Sequence, residues 1–340
     1  MTVCSGICAQ AMLLSNVKGI GVVKLKELMR LDNFATMNTD EFAEILPNYI
    51  KADADEALSL LKNSRRTVEQ QLELAEKMNI RIICSSDEHY PELLKKSKFD
   101  PSILYVKGEL GRRKRSAAVI GTREPPEKFD VVGRRITGNL VERGFSIVSG
   151  LALGCDSIAH KAALEFHGHT VAVLGHGLDH LYPKENKKLS EDIVASGGAL
   201  VSQFPIGDAP NKFNFVKRDK IQSGLSDLVV MLASGVPGGS LIATKSILDD
   251  RRHLFVPAPM NSIAGSAMLK ANITFVRGNV AEICDMLGIT SAEKYPSDLV
   301  HIINGKNDYD LFETAVCGRT DNKGDSIDES DHAPGQTSLF

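Results

Sequence analysis

Short apolar runs alternate with amphipathic stretches along much of the chain. Each run is rich in Val, Ile, Leu or Ala and ends at glycine or polar residues, a pattern typical of buried strands. The strands that this pattern predicts are 80–83, 103–107, 117–120, 145–148, 170–174, 199–202, 227–232, 254–256 and 273–276. The stretch 128–142 carries Val132, Ile136 and Leu140 at helical spacing. Repeated strand–helix units predict an α/β fold with a mostly parallel sheet and helices on both faces.

A helical pattern precedes this region. We expect residues 1–66 to form a small helical domain, in which the turn 17–21 (VKGIG) joins two helices as in a helix-hairpin-helix. Backbone amides of such a turn can meet a DNA phosphate without reading a base. A plain helical hairpin with glycine caps explains the same residues, and the sequence leaves both interpretations open.

Two less regular segments flank the core domain, which we place at 116–288. Residues 67–115 are expected to form a connector that packs on the core and ends in the basic cluster 112–115, a phosphate-contact segment or simply a solvated face. Residues 289–340 are polar and acidic. We expect this tail to be largely disordered because it has too little apolar area to offset the entropy of ordering it.

The composition limits the kinds of binding surface, membrane contact and metal site that we expect. The chain has 340 residues, 43% of them hydrophobic, and a net charge of −3, so any nucleic-acid surface must be local. The sequence has no apolar run of transmembrane length and no signal-peptide pattern, so we expect a cytoplasmic protein without membrane contact. Its six cysteines match no reliable zinc spacing, and we expect reduced thiols, no metal and no cofactor.

The loops that follow the predicted strands hold the candidate binding residues. In a parallel sheet these loops meet at one edge, where ligands bind. Glycine lets the backbone approach a phosphate, and an arginine can hold a phosphate with two guanidinium hydrogen bonds. The candidates are Gly121, Thr122 and Arg123 after the first core strand, Ser149, Gly150 and Gly154 after the second, and Gly175 and Gly177 after the third.

The helix expected after the second loop carries Asp156 and His160, four residues apart on one face. A general acid/base pair would explain this spacing. A capping carboxylate and a histidine packed on the next strand explain it equally, and we favour that interpretation. No catalytic residue is therefore predicted.

A basic segment at 211–221 interleaves cations with Phe213 and Phe215. Cations follow a nucleic-acid backbone, and aromatic faces stack on unpaired bases. The candidate phosphate ligands in this segment are Lys217, Arg218 and Lys220. An amphipathic helix with buried phenylalanines is the alternative, and the two are compatible if the cations point outward.

These segments together resemble the DprA/Smf family of bacterial DNA-processing proteins. The matching motifs are 121–123 (GTR), 149–160 (SGLALGCDSIAH), 173–186 (VLGHGLDHLYPKEN) and 224–226 (GLS), and the resemblance covers about residues 10–288. It implies a Rossmann-like core that binds single-stranded DNA through the loop and basic-segment residues named above. It also implies a homodimer that protects incoming DNA and helps to load a RecA-type recombinase in transformation or recombination, and not an enzyme.

Some residues depart from the family pattern. The basic segment reads Arg218-Asp219-Lys220 where the family has Arg-Asn-Arg, and the added acid should weaken phosphate attraction or fix the segment differently. Nucleotide hydrolases of the same Rossmann-like superfamily have a motif that begins like 237–240 (PGGS), but Lys245 stands where their catalytic glutamate is expected. A nucleotide hydrolase or a nucleotide-binding sensor is the alternative function.

The last five residues, 336–340 (QTSLF), resemble the peptide with which bacterial proteins bind the sliding clamp. Leu339 and Phe340 fit an apolar pocket, while Gln336 can hydrogen-bond at its rim. An arbitrary terminus is the alternative interpretation.

Overall fold

The computed structural model describes residues 3–111, 115–127, 129–260 and 265–317. The strands in these ranges are β1 (Ile80–Cys84), β2 (Ile103–Gly108), β3 (Ser116–Gly121), β4 (Ser146–Ser149), β5 (Thr170–Leu174), β6 (Ala199–Ser202), β7 (Leu228–Ala233), β8 (His253–Pro257) and β9 (Val300–Ile303). The α-helices are α1 (Gly6–Ser15), α2 (Val22–Leu28), α3 (Thr39–Ile45), α4 (Ala54–Lys77), α5 (Glu92–Lys95), α6 (Phe129–Glu142), α7 (Cys155–Glu165), α8 (Lys187–Ala195), α9 (Lys212–Gly224), α10 (Ser240–Asp249), α11 (Lys270–Arg277), α12 (Val280–Leu287) and α13 (Leu311–Cys317).

The strands form one sheet in the order β1-β2-β6-β5-β4-β3-β7-β8-β9. Neighbours in the run β6-β5-β4-β3-β7-β8-β9 pair in parallel, whereas β2 is antiparallel to both β1 and β6. The predicted α/β fold with a mostly parallel sheet is confirmed. After β3 the chain builds β4, β5 and β6 on one side, and β7 to β9 follow on the other side. The order therefore reverses between β3 and β7, which is where α/β proteins commonly bind ligands.

Helices cover both faces of the sheet because successive residues of its strands point to opposite sides. Ala118 of β3 packs in one apolar core with Ile221 of α9. Its neighbour Ala117 packs in a second core with Ile136 of α6 and Ala159 of α7. None of the helices in the described ranges is long and apolar enough to cross a membrane.

The helices α1 to α4 pack against the antiparallel edge of the sheet. Their core continues into the sheet, since Leu14 of α1 shares an apolar cluster with Ile82 of β1 and Leu200 of β6. Between α1 and α2 the chain turns at Gly19, whose φ of +97° favours glycine, and α2 begins directly after Gly21. The predicted helical hairpin is present, and contact of its turn with DNA stays a prediction.

One predicted strand is wrong, and regular structure extends past the predicted end of the core. Residues 273–276 lie in α11, where the buried residues Ala271 and Phe275 are four apart, as in a helix.

The tail expected from residue 289 onward contributes β9, which pairs with β8, and α13, whose Phe312 is fully buried. These short apolar runs bury enough area because the sheet edge and Phe255 of β8 receive them.

Candidate nucleic-acid interface

A cleft of about 460 Å³ opens at the carboxyl ends of β3 and β7, the point where the strand order reverses. The loop after β3, the first half of α9 and the start of α10 line it. Its lining includes Gly121, Thr122, Arg123, Asp156, Lys212, Phe215, Arg218, Asp219, Gly238 and Ser240. The sequence-predicted loop 121–123 and part of the basic segment therefore meet in one site.

The loop after β3 is held close to the sheet. A Cβ at Gly121 would lie 2.5 Å from Cys155 Sγ and 2.7 Å from the Ala233 carbonyl oxygen, so only glycine fits. The Thr122 amide donates a hydrogen bond of 2.7 Å to that same carbonyl oxygen. This bond fixes the loop and places the exposed side chain of Arg123 at the cleft mouth.

An aromatic ring lies beside Arg123 at the cleft mouth. The guanidinium of Arg123 lies 5.7 Å from the ring centre of Phe215, and the Tyr182 ring lies 5.8 Å from the same ring. Lys212 lines the cleft and is exposed, and Phe213 beside it is 82% exposed. The alternative in which both phenylalanines of this segment are buried in a helix is therefore wrong, because Phe213 faces solvent and Phe215 is only half-buried.

Arg218 is buried beneath the cleft and pairs with two acids. Its guanidinium lies 3.5 Å from a carboxylate oxygen of Asp156 and 3.1 Å from one of Asp219, and the residue is 5% exposed. A Cβ on Gly150 would overlap this guanidinium, so Gly150 provides the space that Arg218 occupies. Arg218 is therefore positioned to support the cleft from below, rather than to reach outward as the sequence suggested.

The two acids beside Arg218 have altered proton affinities. Burial raises the pKa of Asp156, and the nearby Arg218 charge partly opposes that rise. Burial also raises the pKa of Asp219, to about 6, with Arg218 lowering and Asp156 raising it. Asp219 therefore changes its charge close to neutral pH, inside a cleft that also carries Arg123.

His160 is placed as a packing residue. It is fully buried, and its Nδ1 lies 2.7 Å from the Thr170 hydroxyl on β5. Burial, followed by the charge of Arg218, lowers the pKa of His160 to about 3, so the imidazole is neutral at ordinary pH. Asp156 pairs with Arg218 and does not cap the helix, whose N-cap is Gly154. The expected capping role is therefore wrong, whereas His160 packs on the next strand as expected.

Most of the other predicted binding residues lie outside the cleft lining. Ser149 is buried, and its hydroxyl donates to the Val119 carbonyl oxygen at 2.7 Å. The backbone of Gly154 packs against that of Arg123, and Gly175 leaves space for the Phe215 ring. The Gly177 amide donates a hydrogen bond to the Asp208 carbonyl oxygen. Lys217 is exposed on α9 beside the cleft, while Lys220 lies 4.3 Å from the Phe99 ring centre. The glycines therefore shape the site, and these two lysines lie on α9 outside the cleft lining.

The structure adds residues that the sequence interpretation did not assign. Ser234 follows β7 directly, and its hydroxyl accepts a 2.8 Å hydrogen bond from the Ser240 hydroxyl at the start of α10. A polar residue directly after a buried strand is the signal that points to Ser234. Lys245, which stands in place of the hydrolase glutamate, pairs with Asp249 at 3.2 Å and does not line the cleft.

Two sets of predicted residues lie outside the described part of the chain. They are 112–114 of the basic cluster and the C-terminal residues Gln336, Leu339 and Phe340.

Residues 81–288 match the model of the family described as DNA recombination-mediator protein A. The chain is 36% identical over 209 residues to Protein Smf of Escherichia coli, covering 61% of this chain and 56% of that protein. It is 34% identical over 249 residues to Protein Smf of Synechocystis, covering 71% of this chain and 62% of that one. The matches thus span less than two thirds of either relative.

Two solved structures are similar to the chain. One is DNA processing protein A from Streptococcus pneumoniae, with a TM-score of 0.68 and 22% identity over 90% of this chain and 97% of that one. The other is DNA processing protein A from Helicobacter pylori, with a TM-score of 0.52 and 25% identity over 64% of this chain and 98% of that one. The second structure was described for its single-stranded DNA binding mode.

Proposed function

Because the chain belongs to the DNA recombination-mediator protein A family, we propose that it binds single-stranded DNA across the cleft between β3 and β7. The observation that carries the proposal is the exposed Arg123 beside the Phe215 ring, with Lys212 on the same cleft. Cations bind the phosphate backbone, and exposed aromatic faces stack on unpaired bases. A duplex offers no unpaired base faces, so this combination favours single strands.

The residues divide into three roles in this proposal. Arg123 and Lys212 bind phosphate directly, with Gly121 and Thr122 setting the position of the loop. Phe213, 82% exposed, and Tyr182, 44% exposed, offer faces for base stacking. The list of phosphate ligands is thereby revised relative to the sequence interpretation, and Ser149, Gly150, Gly154, Gly175 and Gly177 shape the binding surface from beneath.

The remaining cations, all on α9, have less direct roles. Lys217 extends the positive surface along α9, and Lys220 is held against Phe99 and contributes less. Arg218 positions the other groups, because its charge is already shared with Asp156 and Asp219.

A salt-dependent binding assay tests the proposal. Fluorescence anisotropy with labelled oligo-dT and with duplex DNA of the same length, at several salt concentrations, should give tighter binding of the single strand. Its affinity should fall with salt by about 0.7 log units per log unit for each phosphate contacted. Equal affinity for duplex and single strand would contradict the proposed stacking.

The partners of the family extend the proposal. We infer that the chain acts as a homodimer in the cytoplasm, protects incoming single strands and helps to load a RecA-type recombinase, and that it does so without catalysing a reaction. Nuclease protection of bound oligo-dT and the rate of recombinase filament formation on coated DNA measure these roles separately from binding. Light scattering gives the oligomeric state.

A small nucleotide ligand is the second candidate for the same cleft. A volume of about 460 Å³ at the reversal of strand order suits a ligand of that size. Isothermal titration with mononucleotides and with oligo-dT separates the two functions. Micromolar binding of a mononucleotide that oligo-dT cannot displace would favour a sensor over a DNA-binding protein.

A further inference from the structure

Two cysteines near the N-terminus, Cys4 and Cys8, lie with the distant Cys84 at the junction between the N-terminal helices and the sheet. Cys8 of α1 and Cys84 at the end of β1 are fully buried. Their sulfur atoms and a carboxylate oxygen of Asp87 all lie within 4.8 Å of one another. Cys4, four residues before Cys8, has its backbone bridged to Ile82 of β1, and its thiol donates a 3.3 Å hydrogen bond to the Ser5 carbonyl oxygen. Sequence spacing pairs only Cys4 with Cys8, since Cys84 lies 76 residues beyond Cys8.

We propose that Cys4, Cys8, Cys84 and Asp87 form a binding site for a thiophilic divalent metal ion of the zinc class. Three thiolates and one carboxylate supply four ligands, the number that structural zinc sites use. With Zn–S bonds of about 2.3 Å in a tetrahedron, neighbouring ligand atoms lie about 3.7 Å apart. Cys8, Cys84 and Asp87 therefore need to approach one another by no more than about 1 Å, while the Cys4 thiol has to turn from the Ser5 carbonyl oxygen toward them.

Backbone hydrogen bonds hold the N-terminal segment beside β1. The Ile82 amide donates a 2.8 Å hydrogen bond to the Val3 carbonyl oxygen, and Cys4 forms a parallel bridge with Ile82. The two chain segments that carry the ligands are thus joined before any ion binds. Preorganisation of this kind lowers the entropic cost of binding the metal.

Hydrogen bonds orient the carboxylate. One oxygen of Asp87 accepts a 2.6 Å hydrogen bond from the Ser5 hydroxyl, and the other accepts a 2.6 Å bond from the Cys84 amide. Ser5 in turn accepts from the Cys8 amide at the start of α1. Both donors to the carboxylate are neutral, so neither brings a positive charge that would compete with a metal ion. Hydrogen bonds of this kind commonly orient metal ligands.

A disulfide is the competing chemistry for neighbouring cysteines. A bond between two of the three sulfurs would leave the third thiol and the oriented carboxylate without a role. A metal ion uses all four groups at once. It would tie the first residues of the chain to the edge strand of the sheet and thereby stabilise the N-terminal helices on it.

Metal analysis of the full chain, purified without chelators, tests the proposal. We expect about one zinc ion per chain. Cys8→Ser and Cys84→Ser should each lose it, while Cys284→Ser, which alters a buried cysteine outside the cluster, should keep it. Removing the ion with a strong chelator should lower the melting temperature of the wild-type chain, and zinc alone should restore it.

A second measurement does not depend on the folding of the cysteine variants. Cobalt(II) added to the metal-free wild-type chain should produce thiolate-to-cobalt charge transfer and tetrahedral visible bands, which zinc removes. Asp87→Asn should keep the charge transfer but weaken zinc binding by about tenfold or more. Absence of thiolate–cobalt bands, absence of zinc binding by the metal-free chain, or a native disulfide among these cysteines would overturn the proposal.

Discussion

Gly150 leaves open the space that the Arg218 guanidinium fills, because a Cβ on the glycine would overlap the guanidinium. We predict that Gly150→Ala displaces Arg218 and leaves the buried Asp156 without its cation. Breaking a buried ion pair from one side costs about 3 kcal/mol, and urea unfolding should show a loss of that size. Gly239→Ala is the control, since a Cβ there meets nothing within 4 Å and the change should alter stability little.

Arg123 is the cation that the proposed DNA path depends on most. Arg123→Ala should weaken oligo-dT binding about tenfold and reduce the salt slope by about 0.7, the value for one lost phosphate contact. Anisotropy titrations at three salt concentrations measure both. Lys161→Ala removes an exposed cation on α7 and should change neither quantity. An unchanged affinity of Arg123→Ala at low salt would place the DNA elsewhere.

Substitution of Phe213 tests base stacking separately from phosphate binding. Its ring is 82% exposed, so Phe213→Ala should not reduce stability. We expect the substitution to weaken oligo-dT binding by about 1 kcal/mol, roughly fivefold, with the salt slope unchanged because no phosphate contact is lost. The matched control is Val131→Ala, which removes a 58% exposed apolar side chain from α6. A fall in the salt slope would show instead that the ring merely positions a cation.

If DNA binds in the proposed cleft, Asp219 should make its affinity depend on pH. Its pKa is raised to about 6, chiefly by burial, so the carboxyl becomes negative as the pH rises through 6. A phosphate about 6 Å away would then be repelled by about 0.7 kcal/mol in a water-like dielectric, and affinity should fall about threefold between pH 5.5 and pH 7.5. Asp219→Asn should bind more tightly at pH 7.5 and remove this dependence. Asp192→Asn, on the surface of α8, should retain it.

The same group affects stability with a definite sign. The folded chain holds a proton on Asp219 between pH 4 and about 6 that the unfolded chain has released. The free energy of unfolding is therefore reduced as the pH rises from about 4 to about 6. Above that range the reduction stays nearly constant. The difference between wild type and Asp219→Asn in urea unfolding, at pH 4.5 and 7, isolates it from other groups.

The C-terminal peptide gives an independent prediction. Deleting Leu339 and Phe340 should abolish binding of the chain to a purified sliding clamp, because the apolar pair fills the pocket of the partner. Thr337→Leu, which completes the resemblance to the clamp-binding peptide, should strengthen binding. Surface plasmon resonance measures both, and oligo-dT affinity should stay constant. Identical responses from the full and the shortened chain would rule out the clamp as partner.

The sequence predicted the parts of the fold that depend on local patterns. The runs at β3 to β8 are apolar and bounded by glycine or polar residues, and each strand forms within one or two residues of its predicted position. Residues 273–276 misled the interpretation because Ile and Val favour strands locally, whereas the buried Phe275 and Ala271 need helical spacing. β9 was missed because its stability comes from pairing with β8, which is a tertiary contact.

The cleft was predictable to the same extent. The place of Arg123 at the cleft was predictable because a glycine loop after a strand has a fixed place in a parallel sheet. Arg218 looked like a surface cation, since its burial depends on the space that Gly150 leaves on another element. The convergence of Cys84 with Cys8 was likewise invisible, because it results from how α1 packs on β1.

The position of β2 in the sheet has a consequence for the order in which the chain can fold during synthesis. β2 pairs with β6, whose residues leave the ribosome about 95 positions later, and the N-terminal helices share their core with Leu200 of β6. The first 108 residues therefore emerge with an uncovered strand and an open apolar face. Contacts this distant in sequence form slowly, so the partner that covers β2 is absent until about residue 202 has emerged.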